Sequence, residues 1–387
     1  MSFFESLALA ILIFHLLSLT DIGRGLLKMI RLSEIAPDPP DPAPRVSIIV
    51  PACNEELTIK PALQTLLAQD YPNLEIIVVN DRSTDGTRAL LEELQRECTT
   101  PFTLLNISDL PAGWLGKSHA LQMGAEQATG DILLFTDADI EMEKTTLSRA
   151  VTLLESERRD HLCLIFQALG GNWLLDGMIL DAASGLLALF RPWRAGDERS
   201  RYFMGVGAFN MVRTSAYFAV GGHRTIAMHP IDDILLGKIL KEQGFRQLCV
   251  LGKPLVTVRW YPTAAAMITG LMKNVFSVVH YRLTLAVVGM LAIAVTALLP
   301  PVGLILATGT AQLLFGAVVC LRLAALAVGA KLSGMPFTAA VGGLLAPAIS
   351  IYIIGRSAYA TLKNGGITWR GSRYPLSDLR KSRPLFF

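Results

Sequence analysis

Charged residues are scarce in this chain of 387 residues. Asp, Glu, Lys and Arg make up 17% of it and 52% is hydrophobic, whereas soluble domains carry about 25% charged residues. The shortage is local, because residues 41–262 resemble an ordinary soluble α/β protein, whereas residues 283–360 and 6–20 are apolar. A net charge of +3 is too small to indicate a nucleic-acid partner. The composition therefore predicts one soluble domain joined to a membrane part.

Cysteine is also sparse, and its spacing shows no pairs. The five cysteines are scattered without a C-x-x-C motif, at Cys53, Cys98, Cys163, Cys249 and Cys320. An odd, dispersed set is not typical of a disulfide framework or of a zinc site. We expect reduced thiols in the core of a domain that faces the cytoplasm.

No positive segment precedes the first apolar block, which argues against a cleaved signal peptide. Residues 6–20 are short for a span of about 20 residues, but Phe3 and Phe4 extend them. Basic residues follow the block, between residues 24 and 31. We therefore expect an uncleaved anchor in residues 1–30 of an inner (cytoplasmic) membrane protein, with the soluble domain in the cytoplasm.

Three later apolar segments are each long enough to cross a membrane. They are residues 283–299, 302–326 and 337–360, all within residues 282–362. Pro300 and Pro301 predict a tight turn between the first two. Three spans would place the basic tail, residues 363–387, outside the cell, against the positive-inside tendency. Either one segment is re-entrant or the tail breaks the rule.

Residues 263–281 differ from these spans. They combine apolar residues at helical spacing with a cationic edge that includes Lys273 and Arg282. That combination is typical of a helix lying on the membrane surface.

Short β-branched runs alternate with helical stretches in the soluble domain. Residues 46–50, 75–79 and 131–136 are predicted strands, and residues 55–69 and 120–128 are predicted helices. This alternation predicts a parallel sheet covered by helices. Ligands bind such sheets at the carboxyl ends of the strands, and here all three ends are polar or acidic.

Two acidic motifs stand out at these positions. Asp137 and Asp139 follow the third strand and could hold a divalent cation and a phosphate. Asp232 and Asp233 open a later helix, and a carboxylate there could take a proton from a hydroxyl. Each motif alone has a simpler explanation, as a cap or as acids favoured by a helix dipole. Lys117 could be a solvated lysine in a surface turn. In a nucleotide site, it would contact phosphate.

Together these motifs resemble a family 2 glycosyltransferase. They are VSIIVPACNEE at 46–56, QDYPNLEIIVVNDRSTDGT at 69–87, GDILLFTDAD at 130–139 and the acids at 232–233. Further segments resemble a narrower membrane-anchored branch that includes hopene-associated and carotenoid (diaponeurosporenoate-type) glycosyltransferases: LPAGWLGK at 110–117, MGVGAFN at 204–210 and GGH at 221–223. ITWRG at 367–371, with Tyr374, is similar to lipid glycosyltransferases of the ceramide type.

The resemblance implies a GT-A fold, an α/β Rossmann-like nucleotide-sugar domain, over residues 41–262. One N-terminal and about three C-terminal transmembrane helices would accompany it. The implied nucleoside pocket is lined by Pro51, Ala52, Asn54, Glu55 and Asp81. Asp137 would meet the ribose or the sugar, Asp139 would ligate Mg²⁺ or Mn²⁺, and Asp233 would be the catalytic base.

Two departures from the family pattern matter. The acid pair is Asp-Asp where Glu-Asp is usual, so Asp232 remains a rival base. The glutamine of the processive Gln-x-x-Arg-Trp motif is missing before Arg259 and Trp260, which disfavours a polymer-making synthase. Arg259, Trp260 and Tyr261 precede the surface helix and could close over the donor or contact the acceptor, or the two aromatic residues could be interface anchors.

The expected activity is inverting transfer of a sugar from a nucleoside diphosphate sugar, uridine-linked by preference, to a hydroxyl or carboxyl group of a membrane lipid. A polyisoprenoid such as a hopanoid or a carotenoid is the expected acceptor. A polysaccharide synthase is one alternative. A nucleotidyltransferase would favour a Gly-rich loop after the first strand, which residues 51–55 do not form. A scaffold with a degenerate domain would lack Asp139 or Asp233, and both are present.

Overall fold

A computed structural model describes residues 1–386 of the chain. The helices are α1 Phe3–Lys28, α2 Ile59–Leu67, α3 Thr87–Glu97, α4 Gly116–Gln127, α5 Thr146–Ser156, α6 Trp173–Phe190, α7 Thr214–Ala219, α8 Asp232–Glu242, α9 Ala264–Val278, α10 Leu283–Ile293, α11 Leu299–Leu306, α12 Gly309–Ser333, α13 Ala339–Lys363 and α14 Leu376–Leu379. The strands are β1 Val46–Ala52, β2 Leu74–Asp81, β3 Phe102–Ile107, β4 Ile132–Phe135, β5 Ile140–Met142, β6 His161–Ile165, β7 Gln167–Ala168, β8 Asn210–Arg213, β9 Gln247–Leu251, β10 Val256–Val258, β11 Gly366–Trp369 and β12 Ser372–Pro375.

A seven-stranded sheet in the order β3-β2-β1-β4-β8-β6-β9 organises the soluble domain. Strands β3, β2, β1 and β4 are parallel, and β8 pairs antiparallel with β4 and β6. Every residue of β2 and β4 is buried, as expected for parallel strands covered on both faces. The predicted parallel sheet is therefore confirmed, and the carboxyl ends of β1, β2 and β4 share one edge.

Five helical segments among the described residues are long and apolar enough to cross a membrane. They are Phe3–Lys28, Trp173–Arg194, Leu283–Leu306, Gly309–Ser333 and Ala339–Lys363. One N-terminal and three C-terminal candidates match the prediction. The second segment, which contains α6, was not predicted, because its apolar run lies inside the soluble domain.

The predicted turn at Pro300 and Pro301 is wrong. Both prolines lie in the first turn of α11, which continues from α10 through a π-helical segment at Ala294–Leu298. Proline is tolerated in the first turn of a helix, and the wider π turn breaks the regular hydrogen-bond ladder just before it. The chain reverses instead between α11 and α12.

The segments before and after α13 both contact the soluble domain. Before it, the Gln167 side chain donates a hydrogen bond to the Ser333 carbonyl oxygen (3.1 Å). After it, Arg82 Nη1 donates to Ser372 Oγ (2.9 Å). In the most apolar 18-residue stretch of α6 and in that of α13, 39% of the residues are buried, whereas in that of α1 only 11% are buried. These contacts indicate that both ends of α13 lie on the side of the soluble domain, with α13 packed on α6, although its length would allow it to cross.

Helix α6 is constrained in the same way. Strand β4 precedes it and β8 follows it, yet the two strands are hydrogen-bonded neighbours in one sheet. Because the sheet lies on one side of the membrane, α6 must begin and end on that same side. Gly177 packs so closely on the backbone of Gly342 that a Cβ there would approach it to 2.2 Å, so small residues set the contact between α6 and α13.

The C-terminal tail packs on the soluble domain. Lys238 Nζ donates to the Pro384 carbonyl oxygen (2.8 Å), and the Phe386 ring lies 5.5 Å from that of Phe190. We therefore predict that α1, α10–α11 and α12 cross the membrane and that the tail lies on the same side as the soluble domain.

Cysteine labelling can check this topology. In a chain without native cysteines, Thr308→Cys lies in the loop between α11 and α12, and Lys381→Cys lies in the exposed tail. A membrane-impermeant maleimide should label the first in intact cells and the second only after lysis. Labelling of both from outside would show that α13 crosses.

Candidate active site

The loops that follow β1 and β2 are joined by hydrogen bonds. Asn54 N–H donates to Ser83 Oγ (3.0 Å), and Asn54 Oδ1 accepts from Thr84 N–H (2.8 Å). Glu55 N–H donates to Thr87 Oγ1 (2.8 Å). Asn54 has φ = 56°, a left-handed conformation that Asn tolerates better than most residues. The loops therefore hold Asn54 and Glu55 at the sheet edge predicted for the nucleoside, where Pro51 and the fully buried Ala52 end β1.

Asp81 ends β2 beside the start of α4. It is 3% exposed and accepts two hydrogen bonds from Arg82, at 2.7 and 2.9 Å. A Cβ at Gly116 would lie 2.2 Å from Asp81 Oδ2, so only glycine fits there. This close approach connects the β2 end to α4 and places the next residue, Lys117, in the acidic cluster.

Lys117 lies among carboxylates. Its Nζ is 2.7 Å from Asp137 Oδ1 and 3.7 Å from Asp232 Oδ1. Burial favours the neutral amine, but the charges of Asp137, Asp232 and Asp233 outweigh it and raise the pKa of Lys117. A cavity of about 10 Å³ beside these residues has room for about one water molecule. Lys117 thus balances the charge of these acids.

The two acids at the start of α8 have different surroundings. Asp232 is 4% exposed, whereas Asp233 is partly exposed. Asp233 Oδ2 accepts the Gly207 backbone N–H at 2.7 Å. Burial raises the pKa of both carboxyls, to about 7 for Asp232. Of the pair, Asp233 is the more exposed residue.

Gly207 and His223 contribute to the site beyond the predicted residues. A Cβ at Gly207 would lie 2.8 Å from Asp137 Oδ2 and 3.3 Å from Asp233 Oδ2, so a side chain there would fill the space between the acids. His223 Nε2 is 3.9 Å from Asp232 Oδ2, and burial lowers the pKa of His223 to about 3. Gly207 belongs to the motif at 204–210 and His223 to the motif at 221–223. These two motifs are the sequence signal from which the residues could have been predicted.

Asp139 is the metal ligand that the sequence predicts. Burial, with the nearby charges of Asp137 and Glu55, raises its pKa to about 7. A divalent cation would relieve this repulsion, and carboxylate oxygens are the ligands that Mg²⁺ and Mn²⁺ prefer. Among residues 1–386, no group of three His, Cys, Asp or Glu side chains could hold a metal. The two aspartates fit a cation whose other ligands come from a phosphate and water.

The predicted acceptor or gating residues are only partly brought to the site. Burial, with a smaller effect from the charge of Asp139, raises the pKa of Tyr261 to about 12, and its ring packs against Gly270 of α9. The Trp260 ring lies 5.4 Å from that of Tyr261 and 6.1 Å from that of Phe166. Arg259 is exposed.

Removing the charge of Asp232 is expected to stabilise the protein at alkaline pH. With a pKa of about 7 when folded and about 3.9 when unfolded, the folded state binds more protons between these values. The free energy of unfolding therefore falls as the pH rises from about 4 to 7. Asp232→Asn should raise the Tm at pH 8, and less so at pH 5, in thermal unfolding of the detergent-solubilised protein.

The exposed Asp109 provides the control for this comparison, since Asp109→Asn should leave the Tm unchanged at both pH values. A lower Tm of Asp232→Asn at pH 8 would instead show that the ion pair with Lys117 dominates.

Comparisons with known proteins relate this chain to glycosyltransferases. Residues 47–219 match the family described as glycosyl transferase family 2. The 4,4'-diaponeurosporenoate glycosyltransferases of Staphylococcus aureus strains MRSA252 and USA300 are each 27% identical to this chain over 229 residues. These matches cover 56% of this chain and 56% of each relative, so the chain spans little more than half the length of these relatives.

A solved structure is similar over most of the chain. It is the mannosyltransferase PcManGT of Pyrobaculum calidifontis in complex with GDP-Man and Mn²⁺, with a TM-score of 0.54 and 22% identity. The match covers 90% of this chain and 99% of that chain. At this identity the likeness shows a shared fold, and it confirms the predicted GT-A architecture.

Proposed function

Because residues 47–219 match glycosyl transferase family 2, we propose that this chain transfers a sugar from a nucleoside diphosphate sugar to a hydroxyl or carboxyl group of a membrane lipid. One observation carries the proposal. Asp137 and Asp233 converge on Gly207 at one sheet edge, and Asp139 follows Asp137 by two residues, just after the end of β4.

The donor occupies the strand ends in this proposal. Asn54, Glu55 and Asp81 surround the nucleoside together with the β1 end, and Asp137 holds the ribose or the sugar. Mg²⁺ or Mn²⁺, held by Asp139 with Asp137, would offset the negative charge that develops on the diphosphate leaving group. Lys117, now paired with Asp137 at 2.7 Å, carries a positive charge within reach of the same group.

Asp233 accepts the proton of the acceptor. The Gly207 N–H fixes one of its carboxylate oxygens and leaves the other to the hydroxyl. The acceptor oxygen attacks the anomeric carbon as the nucleoside diphosphate leaves, so one displacement inverts that centre. A positioned base of this kind contributes typically about 10²–10⁴-fold.

A polyisoprenoid, such as a hopanoid or a carotenoid, is the acceptor that we propose. The diaponeurosporenoate glycosyltransferases support a carotenoid-like substrate, and α9 supports access from a membrane surface, since it is apolar but too short to cross. We also propose that residues 41–262 form the catalytic domain and face the cytoplasm, where nucleotide sugars are present. Residues 1–30 then form the anchor, residues 263–281 the interfacial segment and residues 282–362 the membrane part.

A substrate panel tests the proposed function. The purified full chain is incubated with individual nucleotide sugars and total membrane lipid, and released nucleotide and glycolipid are measured. We expect release from one donor class, uridine-linked by preference, that depends on added lipid. Equal turnover with a water-soluble sugar acceptor would contradict the lipid assignment, and no turnover with any donor would contradict the transferase assignment.

A further inference from the structure

Lys273 on α9 is a cation without an acidic partner. Its Nζ lies 3.9 Å from the centre of the Trp369 ring. Among residues 1–386, no carboxylate oxygen lies within 4 Å of this ammonium, although Lys117 and Arg370 nearby are both paired. Burial, and then the positive charges of Lys117 and Arg370, lower the pKa of Lys273 to about 8. Half-buried and repelled by its neighbours, Lys273 would be stabilised by an anion.

Arg370 reaches the same region from the C-terminal hairpin, which comprises β11, β12 and the residues between them. Its guanidinium pairs with Glu55 Oε1 and donates to the Asn54 carbonyl oxygen (3.3 Å). Arg370 has φ = 48° and Gly371 has φ = 76°, the conformations of a type I′ turn, where Asn or Gly is usual. A strained arginine that reaches the loop after β1 points to a function for its side chain.

Two further contacts seat the hairpin on the strand-end loops. Arg82, the bidentate partner of Asp81, donates from Nη1 to Ser372 Oγ (2.9 Å). The Gly116 N–H, just before Lys117, donates to the Tyr374 hydroxyl (3.3 Å). The hairpin thus contacts both strand-end loops and the start of α4, which are the elements assigned to the donor.

We propose that Lys273 and Arg370 bind the diphosphate of the donor, so that the C-terminal hairpin completes the donor site. This inference rests on the proposed function. Arginine binds phosphate oxygens through two parallel hydrogen bonds, and lysine acts as a compact point charge. When the diphosphate binds, Arg370 exchanges the Glu55 carboxylate for phosphate oxygens, and Lys273 gains an anionic partner.

A donor diphosphate explains the position of these cations better than an anionic lipid does. Arg370 contacts Asn54 and Glu55 in the strand-end loop, and Lys273 is electrostatically coupled to Lys117 and Asp137. All four partners belong to the site proposed for the donor. A lipid headgroup would reach Lys273 without requiring Arg370.

Calorimetry tests the proposal by measuring how UDP and UMP bind to the full-length protein in detergent with Mn²⁺. If the wild type prefers guanosine nucleotides, GDP and GMP are used instead. Lys273→Met keeps the apolar stem over Trp369, and Arg370→Met removes the guanidinium. We expect each to raise the Kd of the diphosphate at least about tenfold, as the loss of a charge-assisted hydrogen bond does. The Kd of the monophosphate should change less, and Lys273→Arg should restore most of the affinity.

Two matched variants control for general effects of charge and fold. Arg373→Met removes an exposed guanidinium from the same hairpin, where it donates to the Asn364 carbonyl oxygen. Lys363→Met removes an ammonium that lies 5.5 Å from the Tyr359 ring, at the end of α13. Both should bind the diphosphate within about twofold of the wild type, and all variants should show the thermal unfolding of the wild type.

The outcomes separate this inference from the proposed function. If the wild type binds the diphosphate and the Lys273 and Arg370 variants bind it equally well, the inference is wrong and the transferase proposal stands. Equal losses of affinity for the monophosphate and the diphosphate would also overturn the inference, since the two cations would not then distinguish the diphosphate from the monophosphate. A wild type that binds neither UDP nor GDP would overturn both.

Discussion

Turnover of Asp233→Asn is expected to fall by at least about 10²-fold, with donor affinity nearly unchanged, as the loss of a general base does. Asparagine keeps the size of the side chain and can still accept the Gly207 N–H that Asp233 accepts at 2.7 Å. It cannot take the proton of the acceptor hydroxyl. Steady-state kinetics on the matched donor and lipid would give kcat, and binding of the nucleoside diphosphate would give the donor affinity.

Asp232→Asn is the control for this prediction, because it removes the neighbouring carboxylate from the same helix end. Its turnover should fall less, since Asp232 is buried near Lys117 and His223, whereas Asp233 is partly exposed. Losses in the reverse order would move the base to Asp232 and leave the transferase proposal intact.

Asp139→Ala is expected to abolish activity, with a loss of about 10³-fold or more, since a catalytic cation supplies several kcal/mol of charge stabilisation. The protein should still fold, because the carboxylate is held at a raised pKa by burial and by Asp137 and Glu55, so its removal relieves repulsion. Two measurements check this. Turnover should require Mg²⁺ or Mn²⁺, and Mn²⁺ should raise the Tm of the wild type but not of the variant.

Glu141→Ala is the matched control, because Glu141 is an exposed acid two residues further along the chain. It should keep both the turnover and the thermal shift with Mn²⁺. Full wild-type turnover in excess chelator would refute the metal assignment.

Local pattern was enough to predict the elements that carry the site. The apolar runs of β1, β2 and β4 are contiguous in sequence, and a parallel sheet brings the carboxyl ends of its strands to one edge. The polar residues at the ends of these strands were therefore predictable as neighbours at one edge, whereas their roles toward a nucleoside came from the family resemblance. Asp232 and Asp233 were also predicted at a helix start, and α8 begins at Asp232.

Contacts between distant segments were not predictable in this way. The burial that separates Asp232 from Asp233 depends on how α8 packs against the segments containing Gly207 and His223. The side of the membrane on which the tail lies depends on contacts of residues 372–386 with the sheet domain. Hydropathy counts length and apolarity, so it assigns α13 a crossing that these contacts argue against.

The sequence by itself determined that the chain combines an α/β domain, acidic at its strand ends, with membrane helices, because strand patterns, apolar runs and acidic motifs are local. Only the tertiary structure decided that Lys117 balances the acids, that Gly207 orients Asp233 and that Arg370 returns from the C-terminus to Glu55. The physical reason is that ion pairs, hydrogen bonds and burial depend on neighbouring groups within a few ångströms in space. Residues separated by as many as 315 positions in the chain, as Glu55 and Arg370 are, share an electrostatic environment only after the chain has folded.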